Sequence, residues 1–257
     1  MNLNTQHFID THCHLDFCRM GDVSDVIKQC VDANVTQFIV PSVDANNWQR
    51  VLALSLAHRN IYSALGVHPH FLSENNQLDR LTKLATTQRN NIVAIGEIGL
   101  DGQIETSQIQ QIDVLKYQLG LAKTLALPVI CHGHKSLDTL LKYLRLYQLP
   151  KGGVIHGFSG SLVQANEFIK LGFLIGVGGV ITYERAQKTR RTVAQLPLAS
   201  LLLETDSPDM PLSGQQGRVN HPKNIPLIAQ QLASLHGTTI DNIGRQTSEN
   251  AKRLFLA

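Results

Sequence analysis

The feature of this chain that most constrains its fold is where its histidines and acidic residues lie. They follow short apolar runs of the kind that form β-strands: the run 92–96 leads into Glu97, and the run 129–131 leads into His132. In a barrel of alternating parallel strands and helices, the carboxyl ends of all strands face one mouth. We therefore expect these side chains to converge. The residues that share this position are Asp10, His12, His14, His68, Glu97, His132, His156 and Asp206.

The order of the apolar runs predicts an α/β fold. About eight strands alternate with segments of helical periodicity, which favours a parallel sheet closed into a TIM (β/α)₈ barrel. No glycine-rich fingerprint follows the first strand, so a doubly wound dinucleotide-binding sheet is disfavoured. No stretch has the composition of a linker, and we predict a single domain over residues 1–257. The tail 225–254 is predicted to form two further helices on the outside of the barrel.

Charge and composition narrow the class of protein. The net charge is only +3, so any nucleic-acid contact is expected at the active-site mouth rather than over a basic surface. Residues 1–7 lack the basic and apolar regions of a secretory signal, and no apolar run approaches the ~20 residues of a membrane helix. We expect a cytoplasmic protein with no membrane contact. The four cysteines form no CxxC pair and are expected to be reduced thiols.

Convergent imidazoles and carboxylates are what a divalent-metal hydrolytic site requires. His12 and His14 lie two apart, so the strand pleat puts both on one face. A buried carboxylate at Glu97 is costly unless it is paired or bound to metal. Each residue taken singly has an ordinary structural explanation, such as a packed or hydrogen-bonded histidine. Cys13 and Cys131 fall between the inward-facing positions of their strands and are left out of the site.

Six motifs resemble the TatD family of metal-dependent hydrolases, in order and over nearly the whole chain. The stretch 158–210 looks most like the YjjV subgroup of that family. The resemblance implies a TIM barrel of the amidohydrolase type, a divalent-metal centre and phosphodiesterase activity, usually described as that of a deoxyribonuclease. The motifs are Asp10-Thr11-His12-Cys13-His14, Gly66 to His70, Gly96 to Asp101, Pro128 to His132, His156 to Gly160, and Glu204 to Pro208.

The resemblance also implies roles for the residues of the site. It assigns His12 and His14 to one metal, His132 and His156 to a second, Glu97 to a bridge between them, and Asp206 to the first metal. This implies two divalent cations per subunit, with Glu97 and Asp206 as catalytic residues. Four histidines and two carboxylates suit Zn²⁺ or Mn²⁺ better than Mg²⁺, although the family includes Mg²⁺-supported enzymes.

Asp206, close to a water shared by the two metals, is the candidate base. We expect Asp10 to orient a ligand histidine through its free ring nitrogen. His68 has no metal assigned, and contact with the scissile phosphate and a structural hydrogen bond beside Pro69 are equally plausible interpretations.

Two features predict substrate contacts: a departure from the family pattern at the fifth strand end, and a basic segment after the seventh strand. The family usually has His-x-Arg at the fifth strand end, where this chain has His132-Gly133-His134. The arginine fork is a natural phosphate clamp, and His134 or the following Lys135 is expected to replace it in part. Arg185 and the basic residues at 188–191 follow the seventh strand. They either receive backbone phosphates or form a solvated helix face.

These observations predict a metal-dependent hydrolase that cleaves phosphodiester bonds in DNA, in single strands or at strand ends, and acts as a monomer. An amidohydrolase-type enzyme cleaving an amide, lactone or aminoacyl ester is the alternative, and a non-enzymatic metal-binding scaffold is a third interpretation. Glu97 favours the first, because many amidohydrolases bridge their metals with a carboxylated lysine and no lysine occupies this strand end.

Overall fold

The computed structural model describes residues 7–72 and 77–257. Residues 1–6, on which the prediction of no secretory signal rests in part, lie outside that description. Eight parallel strands pair in chain order, each with its sequence neighbour, and the predicted TIM barrel is confirmed. The strands are β1 (Phe8–Asp10), β2 (Val35–Pro41), β3 (Ile61–Leu65), β4 (Ile92–Asp101), β5 (Val129–His134), β6 (Gly153–Ile155), β7 (Phe173–Val177) and β8 (Leu201–Leu203).

Helices connect the strands on the outside of the barrel. Most helix ends lie within a few residues of the ends of the segments that have helical periodicity in the sequence. The helices are α1 (Val23–Asp32), α2 (Trp48–Ala57), α3 (Leu78–Thr87), α4 (Gln108–Leu125), α5 (Leu137–Tyr147), α6 (Leu162–Lys170), α7 (Gln187–Val193), α8 (Ile225–His236) and α9 (Ile240–Phe255).

The segments that follow the first and last strands close the barrel. The backbone N–H of Thr11 donates to the carbonyl of Leu203 at 3.0 Å, and that of Asp206 donates to the carbonyl of His12 at 2.8 Å. The closure thus continues past the ends of β1 and β8, into the segments that carry the polar residues. Closing the sheet leaves no strand edge exposed at this seam.

The core has two layers because strand residues alternate between the two faces of the sheet. The outer layer packs strands against helices and includes Cys13 and Cys131, in agreement with their exclusion from the site. The inner layer fills the barrel with one residue from each of seven strands. Its strand members are Ile9, Ile39, Ala64, Ala94, Ile130, Val154 and Leu202.

The inner layer determines which polar side chains enter the mouth. Ile130 points inward, so alternation also directs His132 and His134 inward, and Val154 does the same for His156. The helix α9 adds Ala251 and Phe255 to this inner layer. The two predicted tail helices are therefore present, and the apolar end of α9 packs against the inward-facing residues of the strands.

The fourth and fifth strands run beyond the apolar segments that predicted them. A register shift between Ile95 and Ile98 carries β4 past Glu97 as far as Asp101. In the resulting register Asp101 lies beside His134 on β5. None of the helices within the described ranges has the length and hydropathy of a membrane span.

Candidate metal centre

The carboxylate of Glu97 lies between two groups of imidazoles. Its Oε2 atom is 3.2 Å from Nε2 of His12 and 3.8 Å from Nε2 of His14. Its Oε1 atom is 2.6 Å from Nε2 of His156 and 3.4 Å from Nδ1 of His132. Glu97 is 3% exposed, so this charge is almost completely removed from solvent and its partners are these rings.

The ionisation of Glu97 follows from these contacts. Burial alone would raise its pKa, but the imidazoles of His156, His68 and His12 hold that pKa well below its usual range. Conversely, burial alone would lower the pKa of His156, and the Glu97 carboxylate raises it to about 10. Glu97 is therefore ionised, and a protonated His156 is its charged partner.

Two pairs of ring nitrogens face each other at close range. Nε2 of His12 is 3.3 Å from Nε2 of His14, and Nδ1 of His132 is 3.2 Å from Nε2 of His156. The rings of His12 and His156 stack with their centroids 4.0 Å apart, which joins the two pairs into one cluster. Two imidazole nitrogens at such a distance share at most one proton, so their lone pairs compete unless a cation lies between them.

Asp206 completes the side of the cluster that includes β1. Its Oδ1 atom is 3.5 Å from Nε2 of His12 and 3.6 Å from Nε2 of His14. Its side chain is 25% exposed, in contrast to Glu97, so it faces the open mouth. Burial alone would raise the pKa of Asp206, but the hydrogen bond with His14 and the charges of the neighbouring histidines lower it overall.

The donor set fits divalent cations. In His12, His14 and His156 the nitrogen Nδ1 is buried and has no hydrogen-bond partner among the described residues, whereas Nε2 of each ring faces the carboxylates of the cluster. Ligand atoms of His12, His14 and Glu97 lie within 4.8 Å of one another, as do those of His12, His156 and Asp206, and those of His68, Glu97 and His132. Imidazoles mixed with carboxylates are typical ligands of Zn²⁺ and related ions.

His68 has both a structural hydrogen bond and a contact with the cluster. Its Nδ1 atom accepts the backbone N–H of His70 at 3.1 Å, in the turn that begins at Pro69. This leaves the proton on Nε2, which lies 3.2 Å from Oε1 of Glu97. In this tautomer His68 donates to Glu97 and orients the carboxylate. The interpretation as a structural hydrogen bond thus holds, and contact with a phosphate remains a prediction.

Asp101 is a site residue that the sequence reasoning did not single out. Its carboxylate is 4% exposed, and it lies 3.1 Å from Nε2 of His132, 2.8 Å from Nε2 of His70 and 3.2 Å from Nδ1 of His134. Burial alone would raise its pKa, but the hydrogen bonds from His70, His132 and the N–H of Gln103 hold that pKa below its usual range. The sequence signal that could have identified it is an acidic residue directly after an apolar one, Leu100, beyond the end of the predicted strand.

Glu204 is the second residue that was missed as part of the site. It is 1% exposed, and its Oε1 atom accepts the N–H of Gly157, the residue that follows His156. Its Oε2 atom is buried without a partner among the described residues, and a Cβ atom at Gly176 would meet it at 2.3 Å, so a larger residue there would displace the carboxylate. Burial raises the pKa of Glu204 to about 7. Through its bond to Gly157, Glu204 holds the backbone just after β6 and His156.

The prediction for Asp10 is wrong. Its carboxylate accepts the N–H groups of His12 and Thr205 at 3.2 and 3.1 Å and the hydroxyl of Thr205 at 2.6 Å. It touches the backbone of His12 and not the ring, because the side chain points across the seam toward the segment after β8. Asp10 thus ties the two ends of the chain together and orients no imidazole.

A cavity of about 430 Å³ opens beside the cluster. His132, His156 and Asp206 line one side of it, and His134, with a 42% exposed side chain, lies at its rim. Arg185 is not among the residues that line this cavity, and its guanidinium lies 5.0 Å from the centre of the Tyr183 ring. The structure thus brings His134 to the mouth, and a substrate contact of Arg185 remains a prediction.

The barrel and the cluster of histidines and carboxylates at its carboxyl mouth define a metal-dependent hydrolase. A model of the TatD related DNase family matches residues 9–256. The chain belongs to the TatD family of metal-dependent hydrolases, as its motifs predicted.

Individual relatives agree with this assignment. The metal-dependent hydrolase YjjV of Escherichia coli K12 is 45% identical over 252 residues, covering 96% of this chain and 97% of YjjV. The crystal structure of that protein superposes with a TM-score of 0.93 over 97% of this chain and 98% of the other. A protein of Erwinia amylovora named 3'-5' ssDNA/RNA exonuclease TatD is 35% identical over 244 residues, covering 91% and 93% of the two chains.

Proposed function

We propose that this chain is a phosphodiesterase that hydrolyses DNA, with single strands or strand ends as substrate, and that two divalent cations serve the reaction. The observation that carries the proposal is the position of Glu97, whose two carboxylate oxygens face different pairs of histidines. A carboxylate with one oxygen for each pair is suited to hold two cations side by side. Such a pair suits in-line displacement at phosphorus.

The residues divide between the two cations. His12, His14 and Asp206 surround the Oε2 side of Glu97, and His132 and His156 surround the Oε1 side. When bound, the cations polarise the phosphate and promote deprotonation of the attacking water. We propose Zn²⁺ or Mn²⁺, because histidine predominates among the ligands.

The chain's own residues then direct the reaction. Asp206 is the proposed acceptor of the proton from the attacking water, because it is the carboxylate of the cluster that remains open to the mouth. The hydrogen bond from His68 holds Glu97, which lies between the two pairs of histidines and fixes their relative positions. His134 at the rim is the proposed contact for a phosphate oxygen of the substrate.

The relative named as an exonuclease of single-stranded DNA and RNA supports a nucleic-acid substrate. Hydrolysis of an amide or lactone by the same centre is the competing function. The bridging position favours the phosphodiesterase, since it holds Glu97 and no lysine that could be carboxylated.

The test is a substrate panel for protein reconstituted with Zn²⁺, Mn²⁺ or Mg²⁺: single- and double-stranded DNA, RNA, a generic phosphodiester, an amide, a lactone and an aminoacyl ester. We expect hydrolysis of single-stranded DNA and of the generic phosphodiester, both lost on chelation. Asp206→Asn protein serves as the control for a contaminating nuclease. Hydrolysis confined to amides, lactones or aminoacyl esters would overturn the proposal.

A further inference from the structure

A second, polar groove of about 500 Å³ adjoins the metal-centre cavity. Both are lined by His134 and Ser159, so the two spaces meet at these side chains. The groove runs from the start of α5 toward α7. Its polar lining includes Lys135, Ser136, Asp138, Gln164 and Lys188.

The groove holds two ammonium groups without partners. Lys135 and Lys188 are both exposed, and neither forms a hydrogen bond or an ion pair with any residue that the structure describes. The single acidic residue of the lining, Asp138, accepts a hydrogen bond from Gln164 at 2.8 Å. The groove therefore has a net positive charge and two donors available to an anion.

Other cations of the chain are used differently. The guanidinium of Arg190 donates to the carbonyl of Ile181 at 2.6 Å, which fixes the turn before α7. Lys170 pairs with Glu167 at 2.6 Å. Such contacts satisfy a cation within the protein, whereas Lys135 and Lys188 stand on opposite elements with the groove between them. An anion in the groove would be within reach of both.

The cavity beside the cluster and the groove differ in chemistry. The cavity has a largely apolar wall, with Phe158, Val180, Ile181, Val193 and Met210, and it joins the cationic groove at His134 and Ser159. A nucleic-acid strand offers groups that match these surfaces, since its anionic phosphates alternate with less polar nucleosides. A small phosphodiester would fill only part of this space.

We infer that the groove between Lys135 and Lys188 binds the phosphate adjacent to the scissile one, so that the preferred substrate is a strand and not an isolated diester. This inference rests on the proposed phosphodiesterase function and adds the length of substrate that the site recognises. The two ammonium groups act as point charges, which bind phosphate oxygens without reading the base.

The test compares Lys135→Ala, Lys188→Ala and the double variant with Lys151→Ala. Lys151 is an exposed lysine before β6, at the opposite end of the barrel, and is the matched control. Binding is followed by fluorescence anisotropy with a short fluorescein-labelled single-stranded DNA whose phosphorothioate linkages resist hydrolysis. The slope of log affinity against log salt should become shallower by about 0.7 in the double variant, because both lysines bind one phosphate.

Kinetics provide the second readout. The double variant should raise KM for single-stranded DNA severalfold, with kcat little changed, and should hydrolyse a small chromogenic diester like the wild type. Wild-type salt dependence and KM in the double variant, or changes no larger than those of Lys151→Ala, would overturn the groove while leaving the phosphodiesterase in place. If no phosphodiester is cleaved, the proposed function fails, and anisotropy alone decides whether the groove binds a strand.

Discussion

Asp101 and His132 form a carboxylate–imidazole pair in which Oδ2 of Asp101 lies 3.1 Å from Nε2 of His132. The other ring nitrogen, Nδ1, faces Glu97. A carboxylate on Nε2 favours the tautomer with its proton there and leaves the lone pair of Nδ1 directed at the cluster. Such outer partners orient metal-binding histidines and increase their basicity. Asp101 is thus a positioning residue for His132.

Replacing Asp101 tests this relationship. Asp101→Asn keeps the size of the side chain but removes the charge that faces His132. We therefore expect affinity for the cation on the His132 and His156 side to fall about 10–100-fold. Titration against a chromophoric chelator measures this affinity. Asp113→Asn, an exposed change on α4, is the control. Equal affinities in the two variants would remove Asp101 from the support of the centre.

Asp206→Asn is expected to abolish most turnover while the protein still folds. The amide has nearly the same shape but cannot accept the proton of the attacking water, and a loss of about 10²–10⁴ in kcat is the usual cost of losing a general base. Initial rates with saturating metal give kcat, and thermal unfolding by circular dichroism reports the fold. A folded variant with near wild-type turnover would exclude Asp206 as the base.

His134→Arg should strengthen substrate binding. Asp101 lies 3.2 Å from Nδ1 of His134 and can hold an arginine fork at the same rim. Arginine carries its charge at all working pH values and offers a fixed fork of donors to a phosphate. We expect a severalfold lower KM for single-stranded DNA and little change in kcat, the pattern of uniform binding. An unchanged or higher KM would count against a phosphate contact at this position.

His221 should make the protein acid-sensitive. Burial and the nearby charge of Lys223 lower the pKa of His221 to about 4, against about 6.5 in an unfolded chain. The unfolded chain therefore binds more protons between these values, and the folded state loses stability as pH falls from about 6.5 to about 4. His221→Asn can still accept the N–H of Lys223 but does not titrate.

The free energy of unfolding in urea, measured for both proteins at pH 7 and pH 5, checks this expectation. The wild type should lose more stability than His221→Asn between the two pH values. Because the other titrating groups are common to both proteins, their effects cancel in the comparison. An identical pH dependence would show that His221 is not held neutral in the fold.

The sequence predicted the barrel well because apolar runs and polar strand ends are both local signals. Glu97, His132 and His156 each follow a run that is long enough to identify a strand, and parallel pairing then brings the ends together. Asp101 was missed because the apolar run stops at Gly96, and only the register shift that extends β4 brings Asp101 beside β5. A shift of this kind depends on how neighbouring strands pair, which the local pattern does not contain.

Two other residues show where alternation helps and where it fails. Glu204 lies two residues before Asp206, so the reasoning that joined His12 with His14 would also have directed Glu204 into the barrel. Asp10 could not be assigned in this way, because its partner Thr205 lies at the other end of the chain. Which side chain crosses a seam is determined by tertiary packing.

The seam between β1 and β8 makes the centre a product of the whole chain. His12 comes from the first strand end and Asp206 from the last, and they meet only after Leu203 has paired with Thr11. A ribosome-bound chain that has not yet reached β8 would expose four histidines and Glu97 but no Asp206. The complete cluster therefore forms only after synthesis has passed β8 and Asp206.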